Sequence, residues 1–156
     1  MGTYAQIHGN LVRQWKGFEL LCSLLEEEFD LLRAGDTDAV SGLEFSIHEL
    51  LRQLADERGA IKEAMQGTRL AEYADMLSLE QGEAIRALLQ AIDKAEQRSA
   101  RQASLNTELS LALLDQNHEL MNFLHDQIMP RPQLVYGAKG TYREPRPQAA
   151  LVNGRL

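Results

Sequence analysis

The chain has 156 residues, the length of one domain, with a formal net charge of -7 and only 9 aromatic residues. Its acidic balance argues against nonspecific binding to nucleic acid or anionic lipid, because phosphates are repelled. No run approaches the roughly 18 apolar residues of a membrane span. The first residues lack a basic region followed by an apolar run, so a cytoplasmic protein without membrane insertion is expected.

Leu, Ala, Glu, Gln and Arg dominate, and these are good helix formers. All 4 prolines lie after residue 129 (Pro130, Pro132, Pro145 and Pro147), so the first 129 residues hold no obligatory helix breaker. The predicted fold class is therefore all-α. The expected architecture is an antiparallel three-helix bundle or coiled coil over residues 1–129, followed by a flexible tail over 130–156.

The first helix is predicted over about residues 4–34. Leu11, Trp15, Phe18, Leu21, Cys22, Leu25, Phe29 and Leu32 recur at spacings of three and four, which puts them on one face. Glu26, Glu27, Glu28 and Asp30 form a charged cluster read as a solvated face. Cys22 is the only cysteine, which excludes an intramolecular disulfide and a cysteine-based zinc site. Among its leucine neighbours it reads as a small buried core residue.

Gly35 suits the left-handed position just past this helix, and Asp36 or Thr37 suits the cap of the next. The second helix is predicted over about residues 37–66. Its stripe is Val40, Leu43, Ile47, Leu50, Leu51, Leu54, Ile61 and Met65, with Gly67 as its stop. So short a connection makes the two helices antiparallel. A short connecting helix is expected over about residues 69–76.

Ser78-Leu79-Glu80-Gln81 has the form of a capping box, and opens a last helix predicted to run to about residue 129. Ile85, Leu88, Leu89, Ile92 and Ala95 serve its first part. Residues 96–104 hold almost no large apolar side chain, and mark a place where the helix breaks, bends or stays straight. Leu105, Leu109, Ala112, Leu113, Leu120, Leu124 and Ile128 then restore an apolar stripe, broadened by Leu111, Leu114, Met121 and Phe123. At 1.5 Å per residue the first two helices are each about 45 Å long and the last about 75 Å. The leucine-rich end is then expected to outrun its neighbours. Surplus apolar surface of that kind marks an interaction site.

Residues 130–156 carry Arg131, Lys139, Arg143, Arg146 and Arg155 against Glu144, a net of +4 that leaves -11 on the first 129. The tail has no hydrophobic period.

No catalytic constellation is legible. His118 and His125 stand seven residues apart on one face, about 10 Å, too far for one metal ion. Residues 137–141 lack the spacing of a phosphate loop, and no strand precedes them. No cofactor and no metal are expected. Asn106, Asn117 and Asn122 are uncommon choices along an apolar stripe. Each reads either as a register-fixing polar residue or as an amide that bonds a partner's backbone.

In layout the chain resembles the FlgN family of flagellar export chaperones, which are small, acidic, three-helix proteins. The likeness rests on Phe18-Glu19-Leu20-Leu21-Cys22-Ser23-Leu24-Leu25-Glu26-Glu27-Glu28 in the first helix. It rests also on Leu105-Asn106-Thr107-Glu108-Leu109 and Asn117-His118-Glu119-Leu120 in the last, and on Tyr136-Gly137-Ala138-Lys139-Gly140-Thr141-Tyr142 in the tail. The resemblance implies a non-enzymatic chaperone that binds hook–filament junction proteins in the cytoplasm and brings them to the flagellar type III export machinery. It implies cargo binding at Leu109, Leu113, Asn117, Leu120, Leu124 and Ile128, and a contact of Tyr136 with cargo or export machinery. The alternative is a self-associating helical adaptor whose C-terminal helix closes a homodimer.

Overall fold

The structure is a computed structural model that describes residues 2–129. Four helices follow one another: α1 (Tyr4–Ala34), α2 (Thr37–Met65), α3 (Leu70–Met76) and α4 (Leu79–Ile128). No strand occurs among the described residues, and the fold is all-α. By contacts the chain divides into one unit of Met1–Leu113 and a second of Leu114–Leu156.

In the first unit the chain turns where its sequence changes character. Gly35 adopts φ 72°, a left-handed conformation that costs a residue without Cβ nothing. The Asp36 carboxylate then accepts from the backbone N–H of Ala39 at 3.0 Å and caps α2. At the far end of α2 the expected stop at Gly67 is corrected by one residue. Gln66 takes the left-handed position first, with φ 49°, and Gly67 follows at φ 89°. The backbone N–H of Gln81 donates to Ser78 Oγ at 3.4 Å at the start of α4.

The core is built on a seven-residue period. Val40, Ile47, Leu54 and Ile61 are the buried series of α2, and Ile85, Ile92, Ser99 and Asn106 that of α4. Such a repeat keeps one seam facing a partner helix, as in coiled coils. From α1, Ile7, Leu11, Phe18, Leu21 and Leu25 fill the space between these series. Cys22 is buried with them, as its leucine surroundings imply. Trp15, Phe29 and Leu32 are only partly buried.

Helix directions follow from paired residues. Gly2 N–H donates to the Ala64 carbonyl, and Asn10 bonds Glu57, so α2 runs antiparallel to α1. Ser99 pairs with Phe18 and Asn106 with Leu25, each 81 residues apart, so α4 runs parallel to α1. At that offset Leu113 is level with Leu32, near the end of α1.

Two amides clamp α1, one near each end. Asn10 Nδ2 donates to the Glu57 carbonyl at 2.8 Å and to Glu57 Oε2 at 2.5 Å, while its oxygen accepts from Gln14. Asn106 Nδ2 donates to the Leu25 carbonyl at 2.8 Å and to Glu28 Oε2 at 2.5 Å, while its oxygen accepts from Gln102. No buried side-chain polar atom among the described residues is left without a partner. The six ion pairs between described residues are largely exposed, and each adds little.

Gly82 sets the approach of α3 to α4. A Cβ added there would sit 2.5 Å from the Ala74 carbonyl oxygen, a backbone atom that cannot rotate away. Gly82→Ala is expected to destabilise the bundle by about 1–3 kcal/mol, read from the midpoint of urea unfolding. Asn106→Ala removes two donated bonds from a buried site and is expected to cost about 1–2 kcal/mol in the same measurement.

The Arg13 guanidinium donates to Glu57 Oε1 at 2.6 Å and holds this carboxyl below its ordinary value of 4.5. A depressed carboxyl contributes stability that is complete above pH 4.5 and is lost as pH falls through its folded-state value. The stability gap between the wild type and Glu57→Gln is therefore expected to close on acidification below pH 4.5, followed by urea unfolding at stepped pH.

Candidate functional site

The candidate site is the C-terminal end of α4, and its sequence explains why it is helical. No glycine or proline interrupts residues 83–129, and helix formers fill most positions. The stretch 96–104, expected to permit a break, is helical throughout and lies within a single helix, Leu79–Ile128. It lacks large apolar residues because small ones suffice. Ala95 and Ser99 are buried, and Ser99 Oγ donates to the carbonyls of Ala95 (2.9 Å) and Phe18 (3.2 Å).

These small residues also leave a depression in the first unit that sequence reasoning missed. A groove of about 230 Å³ is lined by Phe18, Leu21, Leu25, Ile47, Leu51 and, from α4, Glu96, Ser99, Ala100 and Ala103. The signal that points to it is the substitution of Ser99 into the series Ile85–Ile92–Ser99–Asn106, where a large residue fills the seam elsewhere.

Beyond Leu113 the character of α4 changes. Every residue in 114–128 is exposed. Leu114, Leu120, Met121, Phe123, Leu124 and Ile128 each keep 43–66% of their accessible area. The charged residues of this stretch, Asp115, Glu119 and Asp126, are all acidic. With about 100° per residue, those three share one narrow strip of the helix. A helix exposing this much apolar surface on its other sides offers a binding face.

The residues singled out from the sequence are distributed along this helix. Leu109 and Leu113 are half-buried in the first unit. Asn117, Leu120, Leu124 and Ile128 are exposed. Tyr136 lies outside the described residues. Of the three asparagines, Asn106 is the buried clamp described above, whereas Asn117 and Asn122 face solvent. Glu28 is the member of the acidic cluster of α1 that turns inward, to accept from Asn106.

His118 and His125 are exposed, and no three His, Cys, Asp or Glu side chains gather around a common point among the described residues. The Cys22 thiol donates to Glu26 Oε1 at 3.6 Å, and burial pushes its pKa up. No helix among the described residues is long and apolar enough to cross a membrane.

The last helix thus ends in exposed leucines, a methionine, a phenylalanine and an isoleucine. A family model described as FlgN protein matches residues 1–144. The chain belongs to the FlgN family. FlgN proteins are flagellar export chaperones, a non-catalytic family, and the all-helical fold found here accords with that assignment. No curated protein and no solved structure matches the chain. As in FlgN proteins generally, the expected ligand is an export cargo protein.

Because Cys22 is buried and its thiolate disfavoured, a thiol reagent at pH 8 is expected to label the native protein far more slowly than the urea-unfolded one. Equal labelling rates would show that α1 opens readily around this residue.

Proposed function

We propose that this protein binds the helical ends of hook–filament junction proteins in the cytoplasm and brings them to the flagellar type III export machinery. The cargo lies along the end of α4, on Leu109, Leu113, Asn117, Leu120, Leu124 and Ile128. The observation that carries this reading is the run of exposed leucines past Leu113, in a chain of the FlgN family. A helical cargo end presents its own amphipathic stripe, and pairing the two stripes removes apolar area from water at about 25 cal/mol per Å² before ordering costs. Asn117 is exposed between Leu113 and Leu120 in the helix, and in this reading its amide bonds a cargo backbone at the seam. The role is carried by binding alone, with no cofactor or metal. Tyr136, in the tail, is assigned by family resemblance to a contact with cargo or export machinery.

The competing reading is a homodimer closed by the same leucines. Sedimentation at micromolar concentration separates the two. A monomer that shifts to a heavier species only on adding junction protein supports the chaperone. A tight dimer that excludes junction protein supports self-association.

Leu120→Asp combined with Leu124→Asp is the direct test. Both side chains are exposed, at 55% and 43%, so the bundle should keep its thermal midpoint. Cargo capture is expected to fall at least about a hundredfold, since two leucines are lost and two charges are placed in an apolar seam. Undiminished capture by the double variant would put the site elsewhere.

A further inference from the structure

We infer that the end of α4 is clasped by two helical segments of one cargo chain rather than by one. This rests on the cargo-binding reading above and specifies what the partner must bring.

The inference comes from the width of the apolar surface. With about 100° between successive residues, Phe123, Leu120, Leu124, Ile128, Met121 and Leu114 follow one another around the helix over an arc of about 180°. Both edges of that arc are bare: Phe123 is 59% exposed, and Leu114 and Met121 are 62% and 63% exposed. A helix facing a core shows an apolar stripe of about 100° or more, and a seam with one partner helix is narrower still. A single docked helix centred on Leu124 would leave both Phe123 and the Leu114–Met121 edge in water. Two helices, one in each half of the arc, cover both. The polar residues within the arc, Gln116, Asn117 and Gln127, carry no charge and fit the seam between them.

The remaining side of the helix tells how the clasp is oriented. Asp115, Glu119 and Asp126 are the charges of residues 114–128, all acidic, on a strip of about 40° opposite the arc. Two flanking helices approach this strip from either side. Lysine or arginine on their outer edges would pair with it, whereas acidic edges would be repelled. The occupant is therefore a pair of amphipathic helices with basic margins. Their residence in one chain makes the second contact intramolecular once the first has formed. A second copy of the present protein is a poor occupant, because its own corresponding strip is acidic and would repel this one.

The test is site-specific cross-linking to full-length junction protein. A photoreactive p-benzoylphenylalanine replaces Phe123, Leu114 or Leu120 in three separate full-length variants. Adducts from positions 123 and 114 are expected to map to two different helical segments of one cargo chain. Phe123→Ser and Leu114→Ser are each expected to weaken cargo binding about tenfold, with the bundle's thermal midpoint unchanged. Adducts from both edges on a single segment, or edge variants with full affinity, overturn the two-helix clasp and leave cargo binding standing. Adducts to a second copy of this chain alone, or none from any of the three positions, overturn the cargo-binding reading and the clasp with it.

Discussion

Asn106 reaches from α4 to the Leu25 carbonyl and Glu28 of α1, and one heptad earlier Ser99 reaches to the Phe18 carbonyl. Each bond is made in a buried setting, where an amide or hydroxyl without a partner costs on the order of 1–3 kcal/mol. Sliding α4 along α1 by one turn would break both at once and bury their donors unpaired. A leucine seam alone has no such preference, because leucines exchange one neighbour for another at small cost. Asn10 performs the same service between α1 and α2 through Glu57. The three long helices are thus indexed to one another by polar groups, while their stability comes from the apolar series between.

That indexing decides where the exposed apolar end of α4 starts. With α1 and α4 held 81 residues apart, the last pairing of the first unit comes near Leu113. The apolar pattern does not stop there, since Leu113 and Leu120 continue the series Ile85, Ile92, Ser99 and Asn106 at the same seven-residue interval. One periodicity therefore runs first through the bundle's own core and then along the exposed end of α4, where the proposed partner would lie. The transition is made by burial rather than by any change in the sequence rhythm.

Much of the fold was legible because its signals are local. Gly35 and Asp36 mark one turn, Ser78 the start of α4, and the confinement of proline to positions past 129 marks the helical span. The buried polar residues were not legible in the same way. Asn10, Gln14 and Ser99 look like surface residues until the carbonyl or carboxylate that satisfies them is known, and those partners lie as far as 81 positions away. The polar stretch 96–104 suggested a break for the same reason, since a seam filled by Ala95 and Ser99 depends on how closely α1 approaches. Gln66 in a left-handed conformation was equally hidden, because glycine at 67 was the natural choice for that role. Of the site, the leucine-rich end was visible in the sequence, whereas the half-buried state of Leu109 and Leu113 depends on the register.

The acidic strip has a bearing on how the end of α4 holds its shape. A helix gathers partial negative charge at its C-terminus, so Asp126, in the last turn, stands where anions are least welcome, with His125 as the basic side chain of that turn. Residues 114–128 also have every side chain in contact with water. Intrinsic propensity and local backbone bonds must hold such a segment, and about fifteen residues is near the limit at which a helix persists unaided. Because the segment continues α4, the costly first turn is already formed, and the end is presented as a ready-made helix. Under the proposed cargo-binding role, a partner would meet a surface that is already helical when it docks.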